Sequence, residues 1–540
     1  MTKKFLLLVQ IIFLSVGAIY WQIFFKFVEE ADIRFVMNLG KYILEHGFPH
    51  VDPFTIHENL QLVAQQWLSG ILFWEAYKNF GVDGLLIVDA IFGAATVLIF
   101  WRLCLFVSNG NKILSFVISF AAGLLYSMMI VPRPHIISAT LLLTEVFFLE
   151  KFTRTADAKF LIPLPVLSVA LINFHAAMWL MSLVVCLPFL FVKNFRHIKF
   201  LLAAMVGIFF CGFINPYGLD AMTYVFRSYG VVSINENIVE MFTPTAHGLQ
   251  GKFFYVVETF LIFSLARGKV PWRYIFLSGG ITLMTIMHGR NLVLFYFLAT
   301  FPLAYVWREF TLEKIKLDRK FLTGIFFLFV AANTTMIVTF IQYALEKISL
   351  PLEILFFATV FFMLYVLLVL KVEGRILHPT LLPRKIFSLL GTLFVISGIF
   401  LMTIAATQTK PAHTYTDAIK FLLRTERPEN ISLYVHQGIG GLAGSFGIKY
   451  YIDSRSEVFI KENNGQKNIF EEYLNFTGGR IYYKNFFKRY DFTHIILTSE
   501  EPFLFDELSS DKNFRVIYES ERVDGSKVIR CKIFIPPRKD

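Results

Sequence analysis

The sequence predicts a multi-pass α-helical membrane domain with about thirteen transmembrane helices, followed by a small extracytoplasmic α/β domain. Apolar residues make up 56% of the chain and charged residues 17%, and the mean hydropathy is +0.59. Soluble cores do not need so much apolar surface. Apolar runs alternate with short basic loops up to residue 406, and the composition becomes mixed after Lys410. We therefore place the membrane domain at 1–406 and the second domain at 411–540.

The apolar runs divide the membrane domain into spans. A helix needs roughly 20 apolar residues to cross the hydrocarbon core, and roughly 15 to 17 are enough beside a short re-entrant turn. Segments of this kind lie near 5–26, 84–105, 113–131, 136–150, 160–174, 176–192, 199–214, 253–266, 272–287, 291–307, 321–343, 351–370 and 386–406. The first has no small-residue cleavage site after it, so we expect a retained helix and not a signal peptide.

Charged residues predict the orientation. Lys3 and Lys4 precede the first span and place the N-terminus in the cytoplasm. Every connection that is then inside is basic: Arg102 and Lys112; Lys151, Arg154 and Lys159; Lys193, Arg196 and Lys199; Arg267, Lys269 and Arg273; Arg308, Lys314, Lys316, Arg319 and Lys320; Lys371, Arg375, Arg384 and Lys385. The outer loops 27–83 and 215–252 are longer and carry only scattered cations. The predicted topology is N-in/C-out.

The charge pattern argues against a nucleic-acid-binding protein, and the cysteine pattern argues against a fold held by disulfides or thiolate-bound metal. The net charge of +11 comes from Lys and Arg residues in the short loops, where they act as topology signals, so the expected partner is the lipid bilayer and not nucleic acid. Cys104, Cys186 and Cys211 lie in apolar spans, and Cys531 stands alone in the second domain. This pattern indicates neither a disulfide framework nor a thiolate metal site.

The second domain has the pattern of a small α/β fold. Strands are predicted at 431–435, 450–452, 494–497, 514–518 and 528–535, and helices at 416–424 and 468–474. The glycine-rich run from Gly438 to Gly444 follows a strand, but its spacing differs from the GxGxxG of dinucleotide sites. A tight turn is the favoured interpretation of this run, ahead of a nucleotide site.

Polar residues recur where the predicted spans reach the outer side. The turns between spans carry Arg133 and His135, then Asn173 and His175, then Asn215 and Tyr217, and finally His288 and Arg290. Ionisable groups are costly in hydrocarbon and usually face a cavity or a functional path. Each one alone could also be a capping residue or a side chain that reaches to the interface. Together they predict a site on the outer face.

The first outer loop, 27–83, begins with an acidic cluster and an amphipathic helix. Between Asp32 and Glu45 one helical face is apolar and the other carries Arg34, Asn38, Lys41 and Glu45, so we expect a helix that lies on the membrane. Gly47 predicts its stop. A second short helix is predicted at 65–77, with Trp67 and Trp74 as interfacial anchors. Asp32 would also suit a helix N-terminus for capping and dipole reasons alone.

These segments resemble a bacterial group within the GT-C glycosyltransferase superfamily. The resemblance rests on Asp32 with the ending Ile43-Leu-Glu-His-Gly47, then Asp52-Pro-Phe-Thr55 and Gln66-Trp67-Leu68, and, in the same order as in that group, Arg133-Pro134, Asn173-Phe-His175, Asn215-Pro-Tyr-Gly218, Arg290-Asn291 and Ile452-Asp453-Ser-Arg455. It covers nearly the whole chain. The pattern differs at two places, where Arg34-Phe35-Val36 replaces an aromatic pair and a histidine, and Gln65-Gln66 replaces His-Glu.

The resemblance implies an inverting hexosyl or pentosyl transferase of the bacterial inner membrane. Its donor would be a polyprenyl-phosphate sugar and its acceptor an unidentified extracytoplasmic glycan, lipid or protein. It implies a catalytic role for Asp32, with Glu30 beside it, and donor-phosphate binding by Arg133, His135, His288 and Arg290, because arginine binds phosphate oxygens bidentately. Substrate contacts are expected from Asn173, His175, Asn215, Tyr217, Asp52 and Trp67.

Two other classes of function and the question of a metal remain open at the level of the sequence. A transporter should show internal repeats and charges near the midplane, whereas the polar residues found here lie at span ends. A non-catalytic scaffold that works through its outer domain is harder to exclude. A divalent cation could take ligands from Glu29, Glu30, Asp32, Asp52, His50 and His57. Their spacing is not that of a known metal site, so we expect no metal and no cofactor.

Overall fold

The computed structural model describes residues 31–309 and 414–537 apart from 193, 229, 525 and 526, together with 10–12, 14, 15 and 18. Glu29, Glu30, most of the predicted span at 5–26 and the predicted spans at 321–343, 351–370 and 386–406 lie outside the described residues. The predicted number of spans and the side of the second domain therefore stay predictions.

Helices form the first described region. They are α1 (Ala31–His46), α2 (Trp67–Phe80), α3 (Val82–Val107), α4 (Lys112–Ser127), α5 (His135–Thr155), α6 (Pro163–Phe174), α7 (Phe195–Cys211), α8 (Leu249–Ala266), α9 (Trp272–Met287) and α10 (Gly289–Val306). Shorter helical turns lie at Ala158–Leu161, Ala176–Met178, Leu180–Val184, Leu187–Leu190, Leu219–Met222, Tyr224–Ser228, Val232–Asn235 and Val239–Met241. Each predicted span between 84 and 307 coincides with helical structure, although the one at 176–192 is broken into three turns.

Two helices of the described residues, α3 and α10, are long and apolar enough to cross a membrane. The surface of α8 has a related property, since Val256, Phe260 and Phe263 are 67%, 51% and 73% exposed. A soluble surface rarely carries such a contiguous apolar patch.

Glu145 differs from the expectation that polar residues lie at the ends of the predicted spans. It lies buried within α5, where Ser182 Oγ donates to it at 2.6 Å. Polar residues are thus not confined to the ends of the predicted spans.

The basic loops meet at one end of the helical bundle. Arg154, in the last turn of α5, donates to the carbonyl of Phe106 at 2.9 Å and to Asn109 at 2.6 Å, both at the end of α3. Arg273, in the first turn of α9, forms an ion pair with Glu150 at 3.0 Å. These contacts place the ends that the charge pattern assigns to the inside next to one another, and the turns with Arg133 and Arg290 lie at the other ends of α5 and α9.

The first outer loop packs against protein on both faces of α1. Ile33, Val36 and Met37 form a buried cluster with Phe73 of α2 and the start of α3. Gly40 and Gly70 bring α1 and α2 into backbone contact, since a Cβ atom on Gly40 would lie 2.1 Å from the carbonyl carbon of Gly70. The predicted apolar face and the stop at Gly47, with φ of 86°, are confirmed.

The expectation that α1 lies on the membrane is wrong. Its opposite face carries Asn38, which is 7% exposed and donates to the carbonyl of Gly441 at 2.8 Å. Ser445 Oγ donates to the Asn38 side-chain oxygen at 3.1 Å. The second domain therefore covers α1 at Asn38. This polar residue had suggested contact with solvent or lipid headgroups, but it lies between α1 and the second domain.

The second described region is the predicted α/β domain. Its elements are α11 (Thr414–Thr425), β1 (Ser432–Tyr434), α12 (Gln437–Ser445), β2 (Lys449–Tyr450), α13 (Ile469–Thr477), α14 (Tyr483–Arg489), β3 (His494–Thr498), α15 (Pro502–Ser510), β4 (Arg515–Asp524) and β5 (Lys527–Ile535). Short turns lie at Pro428–Asn430, Ser456–Val458 and Lys461–Asn464. Within 414–537 five strands form one sheet in the order β2-β1-β3-β5-β4, with β2, β1 and β3 parallel and the β3-β5-β4 pairs antiparallel. All five predicted strands are confirmed.

The glycine-rich run is a helix, α12, and not the predicted tight turn. A Cβ atom on Gly440 would lie 2.1 Å from the carbonyl oxygen of Ile452, and one on Gly444 would lie 2.9 Å from the side chain of Asn38. Glycine is needed here because the helix packs closely against α1 on one side and against the chain after β2 on the other. This packing explains the composition without a nucleotide.

A buried ion pair joins the first outer loop to the second domain. Arg455 forms ion pairs with Asp52 at 2.7 Å and with Asp453 at 2.8 Å, and its side chain is only 3% exposed. Nearby, Thr55 pairs with Tyr450 as in a parallel sheet, and Ile56 N donates to the Tyr450 carbonyl at 3.0 Å. The loop thus extends the β2 edge of the sheet.

Candidate active site

Arg133 holds two carboxylates from different parts of the chain. It lies in the turn before α5 and forms ion pairs with Asp32 of α1 at 2.8 Å and with Glu240 at 2.5 Å. The side chains of Arg133 and Asp32 are 20% and 26% exposed, so the pair is accessible from one side. The structure therefore joins the predicted catalytic and phosphate-binding residues, and it adds Glu240, which the sequence analysis did not select.

A second arginine, Arg290, lies against the segment that carries Glu240. His288 Nδ1 is 3.0 Å from the carbonyl oxygen of Met241, and Gly289 N donates to the Phe242 carbonyl at 2.9 Å. These bonds fix the turn at the start of α10 to the turn Val239–Met241. Arg290 is consequently held beside Glu240, where its charge, together with that of Arg133, outweighs the opposing effect of burial and lowers the pKa of Glu240.

The second domain contributes Ser454 and Glu457 to the same cluster. Ser454 lies close to Asp32, where its side chain lowers the pKa of the carboxyl group, and Gln65 Nε2 donates to Glu457 Oε1 at 3.2 Å. Burial raises the pKa of Glu457, the positive charge of Arg290 opposes that rise, and the nearby Asp32 carboxylate adds to it. The segment Asp453 to Glu457 therefore has one end in the buried ion pair with the outer loop and the other end in this cluster.

The three carboxyl groups of the cluster differ in their electrostatic environment. Burial is the largest effect on Asp32 and raises its pKa above the usual value, while Arg133 and Ser454 act in the opposite direction and Glu240 and Asp453 add to the rise. The pKa of Glu240 is lowered, so Glu240 is ionised at neutral pH. Pairs of carboxyl groups whose pKa values are moved apart are typical of acid and base chemistry.

Two histidines also belong to the cluster. His135, the first residue of α5, lies within electrostatic range of Arg133, Glu240 and Arg290. His175 Nδ1 is 2.8 Å from Ser138 Oγ, and its neighbours include Arg290 and His135. Of the residues that the sequence selected, Asp32, Arg133, His135, His175, His288 and Arg290 are brought together, and Glu30 lies outside the described residues.

The remaining selected residues lie in hydrogen bonds that connect outer segments. Trp67 Nε1 donates to Asn173 Oδ1 at 2.9 Å, and Asn173 Nδ2 donates to the Ile214 carbonyl at 2.8 Å. Asn215 bonds within its own turn, accepting from Tyr217 N at 2.8 Å. The Tyr217 hydroxyl donates to the Pro49 carbonyl at 2.9 Å. With Asp52 in the ion pair to Arg455, these five residues are apart from the charged cluster.

The residues considered for a metal do not converge in the described part of the chain. No group of three or more His, Cys, Asp or Glu side chains there could hold a metal ion. His57 Nε2 is 2.8 Å from the carbonyl oxygen of Tyr451, and His50 packs against the ring of Tyr217. Asp52 is bound by Arg455, so these three side chains serve the contact between the outer loop and its neighbours.

The sequence contained only weak signals for the two acids that it missed. Glu240 stands in a long outer loop with other polar residues, and nothing in its local pattern distinguishes it from Glu236. Glu457 follows Arg455 by two residues, so its closeness to the segment Ile452 to Arg455 was the available clue. Both acids join the site through contacts over more than a hundred residues of chain, which local periodicity does not encode.

Several solved structures are similar to this chain. No protein-family model matches the sequence, and no curated protein matches it significantly. The structure is similar to a crystal structure of the Archaeoglobus fulgidus oligosaccharyltransferase tethered with an acceptor peptide containing the NVT sequon, with 12% identity and a TM-score of 0.46 over 92% of this chain and 70% of that chain. It is also similar to ArnT from Cupriavidus metallidurans bound to undecaprenyl phosphate, with 12% identity and a TM-score of 0.49 over 98% of each chain.

Proposed function

We propose that the chain is a membrane glycosyltransferase that moves a sugar from a polyprenyl-phosphate donor to an extracytoplasmic acceptor. The observation that carries this proposal is the cluster of Asp32, Arg133 and Arg290, in which a carboxyl group with a raised pKa is paired with Arg133, and Arg290 lies near Glu240, the second carboxylate that Arg133 binds. The arginines suit the phosphate of the donor, and the carboxylate suits the hydroxyl of the acceptor.

The surroundings of the cluster are consistent with a donor that moves in the bilayer. The exposed apolar side chains of α8 and the apolar helices α3 and α10 belong to the bundle that carries the cluster at one end. A polyprenyl chain would lie along such a bundle with its phosphate at the interface. We place the site on the outer face of the bacterial inner membrane, with the second domain above it.

The reaction is a single displacement at the anomeric carbon. An acceptor hydroxyl oxygen attacks this carbon and forms the new glycosidic bond, while its proton passes to the Asp32 carboxylate. The bond between the anomeric carbon and the phosphate oxygen breaks, and its electron pair leaves with the polyprenyl phosphate. Attack opposite to the leaving group inverts the configuration of the transferred hexosyl or pentosyl unit.

The arginines stabilise the charge that develops on the departing phosphate. Such stabilisation is large when the donors are already oriented in a poorly hydrated site. Arg133 binds Asp32 in the structure, so a donor phosphate that shares Arg133 would loosen its hold on the Asp32 carboxylate. Binding of the donor would in this way prepare the base. His135 and His288, which belong to the same cluster, are assigned to the donor phosphate, and His175 is assigned to the substrate.

The hydrogen-bonded residues around the cluster are assigned positioning roles. Trp67, Asn173, Asn215 and Tyr217 hold the outer segments that carry the charged side chains, and Asp52 holds the segment with Ser454 and Glu457 through Arg455. We propose a direct contact with the sugar only for those of these residues whose ring or amide group reaches the charged cluster.

The direct test is donor consumption by the purified protein. The full chain in nanodiscs is incubated with a panel of polyprenyl-phosphate sugars and with envelope extract as a source of acceptor. We expect at least one donor to be consumed with release of polyprenyl phosphate. If a folded preparation consumes none of them, the chain is instead a binding or scaffold protein that works through its second domain.

Substitution of the arginines should weaken donor binding. A hydrogen bond to a charged group contributes about 1.5–3 kcal/mol, so Arg133→Ala or Arg290→Ala should reduce the affinity for undecaprenyl phosphate about 10- to 100-fold. Arg133→Lys should have an intermediate effect, because lysine keeps the charge and loses the bidentate geometry. Affinity is measured by the shift in thermal unfolding on titration with undecaprenyl phosphate. Arg424→Ala, at an exposed position of α11, is the control, and equal affinities for all variants would contradict the assignment.

The pH dependence of the rate should report the Asp32 carboxyl. The base must be ionised, so the rate rises with pH through the raised pKa of Asp32, and the acidic limb lies above the usual range of an aspartate. Glu240→Gln removes a negative charge that raises the pKa of Asp32. It also removes the ion pair between Arg133 and Glu240, so that Arg133 no longer divides its charge between two carboxylates. We expect the acidic limb to move to lower pH by about 1 unit.

The matched control for this experiment is Glu236→Gln, in the same outer loop and, like Glu240, at an exposed position. Its pH profile should coincide with that of the wild type. A limb that moves to higher pH in Glu240→Gln, or one that does not move, would show that Glu240 does not act on the base.

A further inference from the structure

A cavity of about 380 Å³ lies between the first outer loop, the segment around Tyr217 to Arg227 and the second domain. The outer loop contributes Val51 and Leu62, and the second domain contributes Glu457 and Val458. Its volume is in the range of small-molecule sites, which are typically about 300–1,000 Å³. None of the reaction steps described above uses this space.

Aromatic rings form part of its wall. Tyr217 and His50 both line the cavity, and their rings meet edge to face with centroids 5.3 Å apart. The Tyr217 hydroxyl is bound to the Pro49 carbonyl, so the ring is held in place by the outer loop. A fixed ring offers a flat apolar surface of the kind that packs against the C–H face of a sugar.

The polar groups of the cavity favour a ligand that is not an anion. Asp220 and Glu457 line it together with Arg227, which is already paired with Asp220 at 3.3 Å. Two carboxyl groups and one engaged guanidinium leave no excess of positive charge for a phosphate or a carboxylate. A neutral ligand avoids the repulsion that an anion would meet here.

Two buried atoms near this wall have no hydrogen-bond partner among the described residues. One is Arg227 Nε, a donor, and the other is Gln65 Oε1, an acceptor on the side chain that donates to Glu457. Buried polar atoms are rarely left without a partner in native proteins. A hydroxyl group can accept from one such atom or donate to the other, and a sugar carries several hydroxyl groups.

Glu457 connects the cavity to the charged cluster. It lines the cavity, accepts from Gln65 at 3.2 Å and lies near Asp32 and Arg290. A ligand that contacts Glu457 in the cavity would therefore touch a carboxyl group within electrostatic range of Asp32, the residue that takes up a proton in the proposed reaction.

We propose that this cavity binds the acceptor, and that the acceptor presents a neutral carbohydrate unit there, with Glu457 and Gln65 as positioning residues for its reacting hydroxyl. This inference rests on the proposed transferase function and deepens it. The aromatic wall packs against the sugar ring, and the two unpartnered atoms and Glu457 bind its hydroxyl groups.

Saturation-transfer NMR of the full chain in nanodiscs tests the proposal. The probes are methyl glucoside, methyl galactoside, methyl mannoside and methyl N-acetylglucosaminide, with glucuronate and glucose 6-phosphate as anionic probes. Val51 lines the cavity and is 46% exposed, so Val51→Trp fills the space without disturbing the core. Val516→Trp, at a 40% exposed position of β4, is the matched control.

We expect at least one neutral glycoside to bind with a Kd of about 1 mM, and Val51→Trp to weaken that binding about tenfold or more while Val516→Trp leaves it unchanged. Absence of signal from every neutral probe, stronger signals from the anionic probes, or equal signals from both variants would overturn the proposal. Undecaprenyl phosphate binding is measured in parallel on the same samples. Its presence without glycoside binding refutes the acceptor site alone, and its absence with glycoside binding refutes the donor assignment alone.

Discussion

Asp32→Asn should lower the rate of donor consumption by about 10²–10⁴-fold while the affinity for undecaprenyl phosphate changes little, because general-base assistance contributes a factor of this size. Asparagine keeps the shape of the side chain and cannot accept the proton of the acceptor hydroxyl. The rate is measured at saturating donor, so that a change in binding does not enter it.

The control for this substitution is Asp83→Asn, at an exposed position in the first turn of α3. It should keep the wild-type rate. If Asp32→Asn consumes donor at the wild-type rate, the base lies elsewhere, and Glu457 is the next carboxyl to replace. If Asp32→Asn binds undecaprenyl phosphate more than about tenfold more weakly, Asp32 acts in donor binding and not in proton transfer.

Arg455→Ala should destabilise the folded chain by about 3–5 kcal/mol, since removal of one partner from a buried ion pair leaves the other charges buried and unpaired. Two such charges remain, on Asp52 and Asp453, and neither side chain is exposed. Arg455 also lies over the ring of Phe54 at 5.5 Å, so part of the loss comes from packing. We expect a lower melting temperature and faster proteolysis of the first outer loop.

A matched control and a rescue distinguish this ion pair from an ordinary surface contact. Arg489 is 54% exposed and pairs with Glu472, so Arg489→Ala should cost no more than about 1 kcal/mol. Adding Asp52→Asn and Asp453→Asn to an Arg455→Met chain removes the uncompensated charges and should restore part of the stability. Equal losses for Arg455→Ala and Arg489→Ala would contradict a structural role for the pair.

The expected effect of Arg455→Ala on the proposed active site follows from the position of Arg455. Ser454 and Glu457 flank it in sequence and belong to the cluster around Asp32. A loosened segment would therefore move two groups of the site, and the rate should fall even in samples that remain folded. This explains how a residue outside the cluster can matter for the reaction.

Much of the local structure followed from the sequence. The longer helices between residues 82 and 306 lie where runs of apolar residues predicted spans, and all five strands lie where the sequence pattern predicted them, because both signals depend on residues that are close in the chain. The three turns with Arg133, His175 and Arg290 were selected as a set, since ionisable residues at the ends of apolar helices are costly without a role.

The packing partners of α1 and α12 could not be predicted from the sequence in the same way. Asn38 was assigned to a membrane-lying polar face, and the run from Gly438 to Gly444 to a tight turn. Each interpretation considered one segment alone, whereas the two helices pack against each other and explain one another's composition. A pattern of polar or small residues indicates a close contact without naming what is on the other side.

The sequence by itself determined the apolar bundle, the α/β fold of the second domain and the selection of Asp32, Arg133 and Arg290. The tertiary structure alone decided that Glu240 and Glu457 join them, and that Asp52 and Arg455 hold the outer loop to the second domain. The physical reason is the range of the interactions. Helices and strands arise from the spacing of neighbouring residues, but the candidate site arises from charges brought together over a hundred or more residues, by packing of the outer loop with Glu240 and by docking of the second domain.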